Sequence, residues 1–170
     1  MLRAPSPGAG ARGFAAVRRC LDEGGVQYRI DHHEPTHTAL AEAHASGVPL
    51  ERMVKTVALR TGRGYVAVAL PASERLDMAR VRDLVGDPHA RLAFEEELSL
   101  EFPALEPGAL PPFGEAGPPL ELVDRRVLAS NWVLVNAGDQ CHSLRMSPLE
   151  IVRLARARVV DVCRRGSSNY

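Results

Sequence analysis

Lys55 is the single lysine of the chain, which carries twenty arginines. A lysine ammonium is a compact charge whose pKa burial can lower, whereas an arginine guanidinium stays charged. Three large apolar residues lie two or four positions from Lys55, namely Met53, Val57 and Leu59, so a β-strand would place all four side chains on one face. Two interpretations stay open: Lys55 serves a site beside a cleft, or its ammonium reaches solvent past an apolar surface.

A second candidate is the loop rich in proline and glycine that begins at Gly108. It contains Gly108, Pro111, Pro112, Phe113 and Gly114. Glycine permits positive φ and close backbone approach, and consecutive prolines stiffen the chain. A rigid loop with exposed N–H groups could hold a carbonyl oxygen or a terminal ribose. A surface connector of the same composition is the alternative.

Residues 33–37, with the sequence HEPTH, match the HExxH pattern of zinc proteases. That pattern binds zinc only when a helix brings both histidines onto one face. Pro35 would remove a helical N–H and clash with the preceding turn, so it argues against a helix here. We therefore predict no metal site, and we expect His33 and His37 to lie in a loop at the mouth of a pocket.

Other catalytic systems are missing from the sequence. Cys141 and His142 are adjacent in a predicted strand, so their side chains face opposite ways and cannot form a dyad. No GxSxG, P-loop or GxGxxG pattern occurs. The sequence thus offers neither a nucleophile–base pair nor a nucleotide-cofactor loop, and we expect no cofactor.

Composition limits the partners and the compartment. The formal net charge is zero, which argues against a broad basic surface for nucleic acid, although contact with the end of an RNA stays compatible. No apolar run has the length of a membrane span, and the first dozen residues lack the apolar segment of a signal peptide. The three cysteines show no disulfide pattern. We expect a cytoplasmic protein with no membrane or DNA partner.

Apolar periodicity and capping residues predict the elements that would position these side chains. Helices are expected over residues 14–23, 38–44, 78–85 and 148–157, with a capping box at Ser147–Glu150. Strands are expected over residues 26–30, 53–60, 65–70, 120–123, 132–136, 142–146 and 159–162, and residues 91–102 should combine a short strand with a helical turn. Hairpins and helical crossovers both occur, which favours an α/β (α+β) fold: a single domain with a mixed β-sheet or open barrel flanked by helices. Residues 1–13 and 164–170 are expected to be tails around a domain at 14–163.

The order of these features resembles the YbaK family, the free-standing relatives of the editing domain inserted in bacterial prolyl-tRNA synthetase. The resemblance extends from residue 14 to about residue 163. It rests on Val54-Lys55-Thr56 in a strand, on a Gly-x-x-x-Pro loop formed by Gly108 and Pro112, and on Asn136-Ala137-Gly138 before the last helix. The strand element and the loop are specific as a pair and in their spacing.

This resemblance implies a deacylase that acts in trans on mischarged tRNA, such as tRNA for proline carrying alanine or cysteine, without a metal or a covalent intermediate. Such chemistry is reasonable, because an activated ester needs only a positioned water and a stabilised oxyanion. The implied partner is the acceptor end of the tRNA, with an aminoacyl-tRNA synthetase as a further candidate. A non-catalytic module that binds aminoacylated or nucleotide ligands, or a synthetase, is the alternative.

The resemblance also implies roles for individual residues. Lys55 and Gly108 are the implied catalytic residues. The implied substrate-binding residues are Thr56, Pro111, Pro112, Phe113, Gly114, Asn136, Gly138, His33 and His37. Many members of the family have a small hydroxyl residue where Asn136 stands, so this position is expected to influence which amino acid fits.

Overall fold

A computed structural model describes residues 8–165. The α-helices are α1 (Ala9–Glu23), α2 (Ala39–Ala45), α3 (Met78–Val85), α4 (Glu95–Glu101) and α5 (Pro148–Ala155), with a short 3-10 helix at Arg125–Ala129. The strands are β1 (Tyr28–His32), β2 (Val54–Thr61), β3 (Gly64–Pro71), β4 (Arg91–Leu92), β5 (Leu120–Asp124), β6 (Val133–Asn136), β7 (His142–Met146) and β8 (Arg158–Val160). Within the described residues, no helix is long and apolar enough to cross a membrane.

The strands form two sheets that meet beside β2. One sheet is antiparallel with the order β1-β7-β6, and the other is mixed with the order β4-β2-β3-β5-β8. The β2–β3 hairpin runs in register from Val54 opposite Pro71 to Thr61 opposite Gly64. A parallel bridge between Met53 and Leu134 joins the sheets. The predicted mixed α/β fold is confirmed, with two linked sheets and helices packed against them.

Alternation along the strands divides the apolar side chains into three clusters. The largest lies between the two sheets and the helices α1 and α5, and includes Val17, Leu144 and Ile151. A second cluster packs α3 against the opposite face of the five-stranded sheet. The third lies under α2 and joins Ala43 to the bridged pair Met53 and Leu134. Because α2 rests on both sheets at the bridge, it is well placed to connect residues from each.

Several boundaries differ from the sequence-based predictions. Helix α1 begins at Ala9, so residues 9–13 are helical and not part of a tail, and residues 1–7 lie outside the described residues. Gly10 and Gly13 let this helix approach the chain closely, since a Cβ on Gly13 would meet the carbonyl oxygen of Ala104 at 2.5 Å. The helix α5 does start where Pro148 predicts, but Ser147 makes no side-chain cap there. The capping box is therefore wrong.

Asp124 fastens the end of β5 to the C-terminal segment. Its buried carboxylate accepts hydrogen bonds from the backbone N–H groups of Arg126 (2.9 Å), Val162 (2.8 Å) and Cys163 (3.2 Å). The Arg126 guanidinium lies 3.1 Å from the same carboxylate. Burial alone raises the pKa of Asp124, but the hydrogen bonds outweigh burial and the pKa is lowered.

Replacing Asp124 with asparagine should lower the free energy of unfolding by about 3 kcal/mol, because the buried N–H groups of Val162 and Cys163 would lose a charged acceptor. The stabilisation from the carboxylate is present above the pKa of an unfolded aspartate and is lost as pH falls through the lower folded pKa. Denaturant titrations between neutral and acid pH measure both effects. Asp83→Asn on the exposed side of α3 is the matched control, and an equal loss in the two variants would contradict the prediction.

Candidate active site

Gly108 occupies a position that only glycine can fill. Its φ is +75°, and a Cβ built on it would overlap the carbonyl oxygen of His37. The loop is therefore pressed against the chain that leads into α2. Gly108 is itself exposed, and within residues 8–165 its N–H donates no hydrogen bond to the protein. The loop thus presents a free donor at the surface.

The rest of the loop anchors Gly108 in the fold. Pro111, Pro112 and Phe113 are buried, and Phe113 belongs to the core between the sheets. Gly114 has φ +95°. Burial of these three side chains gives them a supporting role, since they hold the loop while Gly108 stays outside. Whether any of them contacts a substrate stays a prediction.

A cleft of about 230 Å³ lies beside Gly108. Strand β2 contributes Thr56 and Ala58 to its wall, and α4 with the following turn contributes Leu98 and Leu105. The Thr56 hydroxyl oxygen is enclosed and has no hydrogen-bond partner among the described residues. Native proteins rarely leave such a group unpaired, so an unpaired hydroxyl in a cleft wall calls for an explanation. The cleft therefore has an unpaired N–H at Gly108 on its surface and an unpaired hydroxyl at Thr56 enclosed in its wall.

Lys55 does not line this cleft. It follows Val54 and precedes Thr56 on β2, so alternation directs it to the opposite face from Thr56. Its ammonium donates to the carbonyl oxygen of Glu74 at 2.5 Å. Burial is the main cause that lowers the pKa of Lys55, and the charge of Arg75 acts in the same direction. The Lys55 ammonium and Gly108 therefore do not share this cleft, because Thr56 faces it and neighbouring strand residues point to opposite faces.

A second loop, around Gly138, is hydrogen-bonded to the start of the Gly108 loop. The Glu106 N–H donates to the carbonyl of Gly138 at 3.2 Å. The Gln140 N–H donates to the Glu106 carboxylate at 2.7 Å, and the Gln140 amide donates to the carbonyl of Pro107 at 2.9 Å. Gly138 is buried, and its φ of +91° and its contact with Gly13 of α1 leave no room for a side chain. The Gly108 and Gly138 loops therefore form one braced unit.

Asn136 belongs to a buried polar cluster centred on Glu42, a residue that sequence reasoning missed. The Glu42 carboxylate accepts hydrogen bonds from the Asn136 amide and from the Ser143 hydroxyl. Burial raises the pKa of Glu42 to about 7, although these two hydrogen bonds act against the rise. The sequence carried a signal for this cluster. Glu42 lies three positions after Ala39, and so on the same face of the short helix α2, where the other buried side chain is Ala43. A carboxylate on the inner face of a helix needs partners there.

The two histidines have different surroundings. Residues 33–37 lie outside any helix, which confirms the predicted loop. His33 is buried, and its Nε2 lies 2.8 Å from the Ser143 hydroxyl while Nδ1 lies 2.8 Å from the Glu34 carbonyl. The prediction that His33 sits at a pocket mouth is wrong, because the cluster around Glu42 draws its side chain inward. His37 is exposed beside Gly108, and its place at a pocket mouth stays a prediction. Within residues 8–165, no group of three histidine, cysteine or acidic side chains is arranged to hold a metal ion.

These features define a small α/β domain whose cleft offers unpaired hydrogen-bond donors to a polar ligand. Residues 33–154 match the family described as the aminoacyl-tRNA editing domain, and the chain belongs to this family. The protein is therefore an enzyme, an aminoacyl-tRNA deacylase that takes part in translation fidelity. Family membership confirms the resemblance inferred from the Val54-Lys55-Thr56 strand and the Gly108–Pro112 loop.

Individual relatives show the same similarity. The prolyl-tRNA editing protein ProX of Acetoanaerobium sticklandii is 24% identical over 148 residues, which cover 84% of this chain and 90% of that protein. The proline–tRNA ligase of Xanthomonas campestris is 33% identical over 96 residues, which are 56% of this chain and 17% of the ligase. The crystal structure of a proposed trans-editing enzyme for prolyl-tRNA synthetase has a TM-score of 0.79 and 26% identity, covering 90% of this chain and 98% of that one.

Gly108→Ala should reduce deacylation of aminoacyl-tRNA by about a hundredfold, since a loop shifted by an ångström misplaces its N–H donor. Gly86→Ala is the matched control. Gly86 has a similar φ of +68° but open space where a Cβ would stand, so it tests backbone strain without a clash. Initial rates with a mischarged tRNA and melting temperatures of both variants make the comparison. Equal activity in the two variants would show that the contact with His37 is unimportant.

Proposed function

We propose that the protein hydrolyses the ester bond between a wrongly attached amino acid and tRNA for proline, with alanine or cysteine as the amino acid removed. It acts in trans, on mischarged tRNA that a synthetase has released, in the cytoplasm. The names of two relatives, a prolyl-tRNA editing protein and a proposed trans-editing enzyme for prolyl-tRNA synthetase, support this substrate class. The similarity to part of a proline–tRNA ligase supports association with such a synthetase.

The observation that carries the mechanism is the pair of unsatisfied groups in the cleft. The free N–H of Gly108 is suited to bind the ester carbonyl oxygen, and to bind it more tightly as negative charge develops there. The Thr56 hydroxyl is enclosed in the wall, but a rotation of its side chain about χ1 can turn it into the cleft, where it can donate to the same oxygen or hold the attacking water. The water adds to the carbonyl carbon and gives up a proton, and the tetrahedral adduct then expels the ribose oxygen, which takes up that proton. No covalent enzyme intermediate and no metal are needed in this route.

The walls of the cleft suit a small side chain. Ala58, Leu98 and Leu105 line it together with Glu95 and Glu106, and its volume of about 230 Å³ suits the aminoacyl group and part of the terminal ribose. Alanine and cysteine differ by one sulfur atom, and a size difference of that order changes binding by only about 1–3 kcal/mol. A single enzyme of this shape can therefore act on both.

Lys55 has a different role in this proposal. Its ammonium donates one N–H to the Glu74 carbonyl oxygen and has two further N–H donors, and its side chain is half-buried. A partly exposed charge beside Thr56 in the chain can hold a phosphate of the acceptor end while the ester occupies the cleft on the other face of β2. Lys55 thus binds the tRNA terminus at the rim and does not contact the reacting carbonyl.

One observation favours a second candidate function. The only lysine points away from the cleft, which is the arrangement expected of a module that binds aminoacylated tRNA or a synthetase without turnover. The two candidates differ in one measurable respect. A deacylase shortens the lifetime of the ester, whereas a binding module lengthens it.

Incubation with tRNA for proline charged with alanine, cysteine or proline tests the proposal. The alanyl and cysteinyl esters should be cleaved, and the prolyl ester should persist. Lys55→Ala should raise KM about tenfold with a smaller effect on kcat, because a phosphate contact contributes to binding before and during the reaction. Lys55→Arg keeps the charge and should restore most of the loss. Esters that are protected and not cleaved would overturn the deacylase in favour of the binding module.

Thr56→Val should have opposite effects on stability and activity. Valine removes a hydroxyl that has no partner, so the free energy of unfolding should rise by about 1 kcal/mol. Deacylation should fall by about tenfold because one hydrogen bond to the oxyanion or the water is lost. Thr56→Ser retains the hydroxyl and is the control for activity. A variant that is more stable and equally active would show that the Thr56 hydroxyl takes no part in the reaction.

A further inference from the structure

Helix α4 contributes a carboxylate to the wall of the cleft beside Gly108. Glu95 is the first residue of α4, and it lines the cleft together with Ser99, one turn further along the helix. Glu95 is exposed, and among residues 8–165 its side chain has no ion pair or hydrogen bond. Glu97 differs, because its carboxylate is paired with Arg91 at 2.7 Å and accepts the N–H of Phe94. Glu95 is therefore available to a cation that enters the cleft.

Glu106 is the other acidic residue that lines the cleft, but contacts inside the protein occupy its carboxylate. Oε2 accepts the N–H of Gln140 at 2.7 Å. Oε1 lies against α1, where a Cβ added to Gly10 would overlap it. These contacts direct the Glu106 carboxylate toward α1 and the loop around Gly138. Among the described lining residues, Glu95 is the acidic side chain that a ligand can use.

The lining of the cleft divides into three chemical kinds. The exposed Gly108 N–H is a donor, Ala58, Leu98 and Leu105 are apolar, and Glu95 carries a negative charge. An aminoacyl ester has three matching groups: a carbonyl oxygen, a small apolar side chain and an α-ammonium group. When the carbonyl oxygen is bound to Gly108 and the side chain packs on the apolar wall, the ammonium is the group left for Glu95.

The small size of the cleft brings these three kinds of surface within reach of one ligand. Its volume of about 230 Å³ is below the range of roughly 300–1,000 Å³ that is usual for drug-sized ligands. Strand β2, helix α4 and the Gly108 loop each contribute to the wall, so a ligand that fills this space contacts all three. The two methylene groups of Glu95 allow its carboxylate to turn toward such a ligand.

We propose that Glu95 is a substrate-binding residue that holds the α-ammonium group of the aminoacyl ester. The inference rests on the proposed deacylase function and adds a substrate requirement to it. A hydrogen bond between an ammonium and a carboxylate is about twice as strong as one between neutral groups. Binding the ammonium orients the ester with its carbonyl oxygen at Gly108. The positive charge, retained beside the carboxylate, also withdraws electrons from the carbonyl carbon and favours attack by water.

Alanyl-tRNA and lactyl-tRNA provide the test, because a hydroxyl replaces the α-amino group with little change in size. The quantity measured is the ratio of kcat/KM for the two esters, each divided by its uncatalysed rate of hydrolysis. The wild-type protein should prefer the alanyl ester by about tenfold, the difference between a hydrogen bond from a charged donor and one from a neutral donor.

Variants of two neighbouring glutamates separate binding from a general effect of charge. Glu95→Ala should bring the ratio close to one, mainly by slowing cleavage of the alanyl ester. Glu95→Gln keeps an acceptor without the charge, so about threefold of the preference should remain. Glu96→Ala is the matched control, because Glu96 is exposed in the same turn of α4 but does not line the cleft. It should retain the wild-type ratio, and melting temperatures check that all three variants are folded.

The outcomes are distinct. Cleavage of neither ester by the wild-type protein would overturn the proposed function. Equal cleavage of both esters would leave that function in place and overturn the role of Glu95. If Glu95→Ala slows both esters equally, the carboxylate acts on the water or on the helix and does not bind the ammonium. An equal loss of preference in Glu96→Ala would show a general effect of charge and would overturn the inference as well.

Discussion

Alternation along β2 sends consecutive side chains into different surroundings, and the arrangement of the molecule depends on it. Val54 enters the core between the sheets, Thr56 enters the cleft, and Val57 packs toward α3. Lys55, between them, is directed to the Glu74 carbonyl. Because the period of a strand is two residues, a slip of one position would exchange all of these surroundings. The β2–β3 hairpin and the bridge at Met53 prevent such a slip.

Polar groups in the interior fall into two kinds. Around Glu42 and Asp124 the donors and acceptors are paired, and these clusters fix the relative positions of strands and loops. The enclosed Thr56 hydroxyl and the exposed Gly108 N–H are unpaired and adjoin a cleft, and the Ser46 hydroxyl, away from that cleft, is unpaired as well. Desolvating a polar group without a partner costs free energy, which a well-packed protein tolerates where a ligand later supplies the partner. The paired clusters therefore support the fold, whereas the unpaired groups at Thr56 and Gly108 adjoin the cleft in which the substrate is proposed to bind.

Local signals predicted much of the fold. Asp77 and Gly86 delimit α3 at the predicted residues, and the hairpin turn after Thr61 has the predicted position, because capping and turn chemistry act over a few residues. Packing between distant segments was not predictable in this way. The start of α1 depends on glycines that fit against a loop some ninety residues further along the chain, and the inward turn of His33 depends on Ser143. Strand alternation predicted which face of β2 carries Lys55, whereas the family resemblance implied that Lys55 and Gly108 belong to the same site.

The parallel pairing of β3 with β5, and of β5 with β8, has a consequence for how the protein acquires its activity. Each pairing joins segments that are separated by dozens of residues, and such contacts form late and together because long loops must close first. Asp124 receives its hydrogen bonds from Val162 and Cys163 only after β8 has been synthesised. A ribosome-bound chain that already contains the Gly108 loop and Thr56 would therefore not yet have a braced cleft. Deacylation should therefore begin only once β8 and residues 162–163 have joined the sheet.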